Sequence, residues 1–228
     1  MTEQDCANGD SFEQHCTICQ RQIANADIAV AKKGVARTMA YAILAVDQAS
    51  ASGWAIYDGA KIAAWGLAKK ASDRQAVIDN ALLIAREAGL RLLVVMEDHS
   101  KIPLEVGTKH DRKRGGPRPI RRNTGTIIGI GDARGRWLEQ LELAGHPEAW
   151  VMFVEPSDWR QKTIGNYGGS DAIKKRAVDR AGNTLGVTVP NHNTAEAVVM
   201  LEWSTLDGRA RFDAAREAAR AVRRKAAP

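Results

Sequence analysis

Cysteine is scarce in this 228-residue chain and poorly placed for a scaffold. The three present, Cys6, Cys16 and Cys19, all lie near the start, and an odd count at one end cannot staple a fold. His15, Cys16 and Cys19 together with Cys6 could supply four zinc ligands, but one Cys-x-x-Cys without a second pair favours reduced thiols on a polar tail. Long apolar runs are also missing: none approaches the roughly 18 residues that a helical membrane span needs. The opening MTEQDCANGD shows no basic start followed by an apolar stretch, so no secretory signal is expected and the cytoplasm is the expected location. Acid is in deficit, with 27 Asp+Glu against 33 Lys+Arg, a formal net charge of +6. That balance suits a polyanionic partner, and its clustering points to nucleic acid.

What is present is organised around Ala42 to Trp54, AILAVDQASASGW. Ile43 to Val46 reads as a buried strand, a short aliphatic run bounded by polar residues. Asp47 therefore stands at the end of a core strand, where a carboxylate is expensive to desolvate unless a cation or hydrogen-bond donors compensate. An Asp that begins a turn or caps loop amides is the competing reading. Arg91 to Met96, RLLVVM, is a second continuous apolar run, and it too ends in an acid, Glu97. If the two strands are neighbours with level ends, both acids face one small volume, and a divalent cation is the economical reason for them.

The remaining pattern is that of an α/β domain. Tyr41 to Asp47, Gly53 to Tyr57 and Lys61 to Leu67 form an antiparallel meander with a hairpin turn at Asp58-Gly59. A helix capped by Ser72 runs from Asp73 to Glu87, another from Asn123 or Thr124 to about Leu143, and Trp150 to Val154 makes a fifth strand. The last core helix is expected over Ala195 to Ser204, with Glu196 in its first turn and His192 and Asn193 near the same face. Residues 1–38 read as a tail or small accessory segment, 39–206 as the domain, and 207–228 as a basic, solvated helix or tail with little apolar surface beyond Phe212 and Val222.

Between His99 and Arg122 the chain is loop-like and cationic, with Lys109, Arg112, Lys113, Arg114, Arg118, Arg121 and Arg122 among Gly and Pro. Phosphate contact without sequence reading is expected there, a solvated loop being the alternative. Arg160, Lys162 and the Gly165 to Gly169 loop precede a helix capped by Ser170 or Asp171 that carries Lys174 and Lys175, a generic phosphate cradle. Trp54, Trp137, Trp159 and Trp203 read as packing residues. Trp65 or Tyr167 could stack on an unpaired base, and nothing in the sequence selects between them.

In order and spacing these pieces resemble the RuvC-type Holliday-junction resolvases, particularly their phage-encoded relatives, over about Ala40 to Leu201. Val46-Asp47-Gln48-Ala49-Ser50 with Gly53-Trp54-Ala55 looks like the family's opening motif, and Val94-Val95-Met96-Glu97 like its second acidic strand. Gly131-Asp132-Ala133-Arg134-Gly135 resembles its G-Q-A-R-G, and Asn193-Thr194-Ala195-Glu196-Ala197 sits where the family has D-x-A-D-A, with Asn and Glu in place of the two aspartates. The resemblance implies an RNase H-like fold with a five-stranded mixed sheet, three antiparallel strands then two parallel, flanked by helices. It implies two Mg²⁺ or Mn²⁺ per active site on Asp47, Glu97 and Glu196, with Asn193 or His192 as a neutral ligand. Lys162, Lys174 and Lys175 would then neutralise charge on the phosphate, and Arg134 and Arg160 would join the DNA contacts. Branched DNA as substrate, a homodimer, and no nucleotide cofactor or membrane partner follow from the same resemblance. An architectural DNA-binding protein on this fold, an RNase H acting on RNA–DNA hybrids, and an actin-like ATPase are the competing classes; the last needs two such domains, and only one copy is present.

Overall fold

The structure, a computed structural model, describes residues 41–98, 105–111, 116–121 and 124–226. Its strands are β1 (Tyr41–Asp47), β2 (Ser52–Tyr57), β3 (Ile62–Ala68), β4 (Arg91–Glu97), β5 (Glu105–Asp111), β6 (Gly116–Arg121) and β7 (Val151–Val154). The helices are α1 (Ala71–Glu87), α2 (Thr124–Leu143), α3 (Pro156–Thr163), α4 (Ser170–Asp179), α5 (His192–Trp203) and α6 (Arg209–Ala226). One sheet of five strands has the order β3-β2-β1-β4-β7. β1, β2 and β3 pair antiparallel, while β1 with β4 and β4 with β7 pair parallel. That order and sense, with helices on both faces, is the RNase H-like fold.

Strand periodicity sorts the core into two layers. Ile43, Ala45, Leu93 and Val95 belong with Ala197, Val198, Met200 and Leu201 of α5. Leu44, Val46, Val94 and Met96 belong with Val77, Ile78 and Ala81 of α1 and with Trp137 and Leu141 of α2. Both central strands are thus covered on each face, which is why they read as unbroken apolar runs. β1 and β4 run level, from Tyr41 opposite Arg91 to Val46 opposite Met96. The next residue on each strand is an acid, and by alternation Asp47 follows Ala45 and Glu97 follows Val95 onto the α5 face.

Several local boundaries differ from expectation for identifiable reasons. α1 starts at Ala71, before Ser72, because the Asp73 carboxylate accepts from the backbone N–H groups of Lys69 at 2.9 Å and Lys70 at 3.0 Å. The expected turn at Asp58-Gly59 is present, with Gly59 at φ 99° and Asp58 Oδ1 accepting from the amides of Ala60 and Lys61 at 2.8 Å each. The cationic stretch expected to be loop-like contains the antiparallel hairpin β5–β6, with Lys109 opposite Arg118 and Glu105 opposite Arg121. Pro117 and Pro119 hid it; a two-stranded ribbon is all edge, where a missing N–H is tolerated. Lys109, Arg118 and Arg121 therefore lie on its strands. Arg112, Lys113, Arg114 and Arg122 lie outside the described residues, as do Cys6, His15, Cys16 and Cys19.

The C-terminal helix was expected to be solvated, yet its start is docked. Phe212 is buried, with its ring 6.1 Å from Tyr41 and 5.7 Å from Trp150, and the Tyr41 hydroxyl donates to Asp213 at 2.6 Å. Because Tyr41 opens β1 and Asp47 closes it, α6 is anchored at the sheet end opposite the acids. No helix among the described residues is long and apolar enough to cross a membrane.

Candidate active site

The third acid arrives on α5. Asn191 caps this helix, its side chain accepting from the Thr194 amide at 3.0 Å, so the helix begins at His192 and Glu196 falls in the second turn, not the first. Asn193 Nδ2 donates to the Ala51 carbonyl at 2.7 Å and Thr194 Oγ1 donates to the Gly66 carbonyl at 3.0 Å. These bonds fasten the helix start to the β1–β2 connection and to β3. Gly53 makes the approach sterically feasible: a Cβ there would stand 2.0 Å from the Asn193 carbonyl oxygen. Glu196 is thereby delivered over the end of β1.

Asp47, Glu97 and Glu196 are all buried, at 6%, 2% and 7% exposure, so three carboxylates share a dry volume. Two residues of α3 serve them. Trp159 is fully buried and its indole N–H donates to Glu97 Oε1 at 2.9 Å. Arg160 Nη2 lies 3.2 Å from Glu97 Oε1 and 3.5 Å from Glu196 Oε1, so one guanidinium bridges two of the acids. Arg160 was expected to be a DNA contact, and Trp159 a packing residue; the polar role of each here was not read from sequence. The usable signal is topological: β7 pairs parallel with β4, so the helix leaving β7 must begin beside Glu97.

The other expected site residues spread outward. Lys174 is half-buried on α4 and close enough for its charge to act on both Glu196 and His192. Lys175, next to it, is exposed. Lys162 points toward Asp207, 3.9 Å away. Arg134 is 3.4 Å from Asp98, with its guanidinium 3.8 Å from the Phe153 ring centroid.

Burial, and then the charges of Glu97 and Glu196, hold the Asp47 carboxyl well above the usual carboxylate range. Burial also raises Glu196, with Arg160 pulling the other way ahead of the repulsion from Glu97. Asp47 and Glu196 lie close enough to act on each other's ionisation, and both carboxyls are held above their ordinary values. Burial and the nearby Lys174 hold the His192 imidazole below its ordinary value. Among the described residues one guanidinium, Arg160, bridges two of the three acids, and the Lys174 charge acts on Glu196.

Carboxylate oxygens are the hard donors that Mg²⁺ and Mn²⁺ select, and the repulsion from Glu97 and Glu196 that raises Asp47 is of the sign that a divalent cation relieves. Donor chemistry and charge both fit such an ion. As placed, the acids straddle Arg160, and among the described residues no three acidic, histidine or cysteine groups close around one point. The Asn193 amide N–H₂ is committed to Ala51, which leaves its carbonyl oxygen as the atom that could face a metal.

No family model and no curated protein matches the chain. Among solved structures it is similar to the structure of RuvC from Thermus thermophilus, with 14% sequence identity and a TM-score of 0.42 over 69% of this chain and 89% of that one. The sheet topology defines the class: an RNase H-like α/β protein with buried acids where its two central parallel strands end.

Proposed function

We propose that the protein is a divalent-metal-dependent endonuclease that hydrolyses phosphodiesters in branched DNA such as four-way junctions. The observation that carries the reading is the meeting of Asp47, Glu97 and Glu196 in one buried cluster at the ends of β1 and β4, close enough that Glu97 and Glu196 both raise the Asp47 carboxyl. The motif resemblance supplies the branched substrate and the homodimer, since two symmetric cuts call for two sites related by a two-fold axis.

Asp47, Glu97 and Glu196, with Asn193, would hold two Mg²⁺ or Mn²⁺ ions, which supply Lewis-acid activation of water and of the scissile phosphate. The chain's own groups do the rest. Trp159 fixes the orientation of Glu97 through its indole N–H, and burial keeps bulk water from the carboxylates. Arg160 and Lys174 flank Glu196 and place positive charge where a phosphate's negative charge develops. Lys162, Lys175 and Arg134, together with Lys109, Arg118 and Arg121 on the β5–β6 hairpin and Arg112, Lys113, Arg114 and Arg122, complete the proposed phosphate-binding set.

The test is incubation of labelled four-way, flap, linear-duplex and RNA–DNA hybrid substrates with Mg²⁺, Mn²⁺ or chelator. Cleavage of the branched forms only with metal is expected. Preference for the hybrid would assign the RNase H reading instead, and no cleavage of any substrate would end the nuclease reading. A second reading, a catalytically weak DNA-binding protein on this fold, is favoured by one observation: Arg160 already bridges two of the acids. Metal-independent junction binding without cutting would identify it.

A further inference from the structure

We propose that Tyr167 is a stacking platform for an unpaired nucleobase on the loop that joins α3 to α4; the proposal rests on the reading above for the ligand being nucleic acid. The sequence offered Trp65 and Tyr167 for such a role, and the structure separates them. Trp65 is buried and its indole N–H donates to the Thr188 carbonyl at 2.9 Å, so it is a core residue. Tyr167 is 68% exposed, and it is the one exposed aromatic ring among the described residues.

An exposed ring on a loop is normally free to swing, which makes it a poor platform. This ring is held. Arg176 on α4 donates from Nε to the Ile164 carbonyl at 2.8 Å, and from Nη2 to the carbonyls of Gly165 at 3.2 Å and Tyr167 at 2.5 Å. The same guanidinium lies 4.2 Å from the Tyr167 ring centroid, so one cation fastens the loop backbone and backs the ring. Gly165 and Gly168, at φ 77° and 79°, turn the chain into and out of Tyr167. A Cβ on Gly165 would sit 2.3 Å from Tyr167 Cε1, so the ring rests against the glycine backbone. Its remaining surface is left in water, already in place, and the ordering cost on binding is small.

Position supplies the ligand class. The loop leaves α3 with the Ile164 and Gly165 amides donating to the Arg160 carbonyl at 2.9 and 2.7 Å, and it enters α4, which carries Lys174. The ring therefore lies on the stretch of chain between the two cations that flank Glu196. A fixed aromatic face among cations beside a phosphodiester site is the arrangement that binds a splayed base while the basic groups hold its phosphates.

The experiment measures equilibrium binding in chelator, where no cutting occurs, of the full chain and its Tyr167→Ala, Tyr167→Leu and Tyr167→Phe variants. The probes are a perfect duplex and the same duplex carrying one unpaired 2-aminopurine, whose emission falls when it stacks. Tyr167→Ala and Tyr167→Leu are expected to weaken binding of the unpaired-base probe by about 5- to 100-fold and abolish its quenching, with duplex binding unchanged and Tyr167→Phe behaving as wild type. Equal affinity of all variants for the unpaired-base probe, or equal loss on both probes, would overturn the proposal. Stacking without metal-dependent cleavage by the wild type would sink the nuclease reading and leave this one standing; cleavage without any Tyr167 effect would do the reverse.

Discussion

Two arginine–glutamate contacts, both on α5, show how the same chemistry serves different ends. At the far end of the helix, Arg180 grips Glu202 with two parallel bonds, Nε to Oε2 at 3.0 Å and Nη2 to Oε1 at 2.5 Å. One cation meets one buried anion in fork geometry, Glu202 stabilises the guanidinium in its charged form, and the helical turn Arg180–Thr184 that follows α4 is tied to α5. Six residues earlier, Glu196 shares Arg160 with Glu97 at 3.5 and 3.2 Å, and Asp47 adds a third acid. One acid per cation there makes a fastening; three acids together here raise the Asp47 carboxyl and suit a cationic ligand.

The sharpest way to break that comparison is Asp47→Asn, which removes the central acid at almost no change in shape. Cleavage of a four-way junction is expected to fall by about 10³-fold or more, several kcal/mol of transition-state stabilisation, in a gel assay with Mg²⁺. Undiminished cutting would remove Asp47 from the site. At the balanced pair the consequence is structural: Arg180→Leu strands Glu202, which is 7% exposed, and should lower stability by ~2–4 kcal/mol in urea titration. That figure sits at the lower part of the usual range because the arginine side chain is 33% exposed. Junction cleavage by that variant should persist wherever it is folded.

A smaller effect separates the two regions by pH. Asp47 and Glu196 have folded-state values raised above ordinary ones, so the fold holds protons that the unfolded chain has released. Their contribution is full below the ordinary carboxylate range and is lost as pH rises through the raised values. Metal-free protein should therefore melt at lower temperature at neutral than at mildly acid pH. Asp47→Asn should flatten that slope and melt higher than wild type at neutral pH. Mg²⁺ at a hundredfold excess over its Kd should return ~2.7 kcal/mol, more at neutral than at acid pH. A wild-type slope unchanged in Asp47→Asn would place the pH response elsewhere. The least effect is expected at the exposed pair Asp132–Arg136, where both side chains are more than half in water at 53% and 55% exposure. Asp132→Ala should shift stability by only ~0.3–0.5 kcal/mol, at the limit of urea titration.

What could be read from the sequence is what depends on neighbours along the chain. The buried strands β1 and β4, their terminal acids and the Asp58-Gly59 turn all announce themselves in local pattern. The level pairing that brings Asp47 and Glu97 side by side needed only the assumption of adjacency. Arg160 could not be assigned the same way, because its partners lie 63 and 36 positions off and a guanidinium on a short helix looks like any surface cation. The β5–β6 hairpin was hidden by prolines that only an edge strand accepts, and the start of α5 by an asparagine whose capping bond decides the boundary. Docking of α6 through Phe212 was missed because the residues at helical spacing with it, Ala215, Ala219 and Val222, are mostly alanines, whose small apolar area reads as a solvated face.

The contact between Gly53 and the start of α5 sets a tolerance for the chemistry as well as for the fold. With the Asn193 carbonyl only 2.0 Å from where a methyl would go, any side chain at position 53 acts as a wedge between sheet and helix. The wedge would tilt the helix that carries the third carboxylate while leaving the other two on their strands. The spacing of the acids is thus gauged by a single absent methyl, and Gly53→Ala changes the bite of the site without touching an acid.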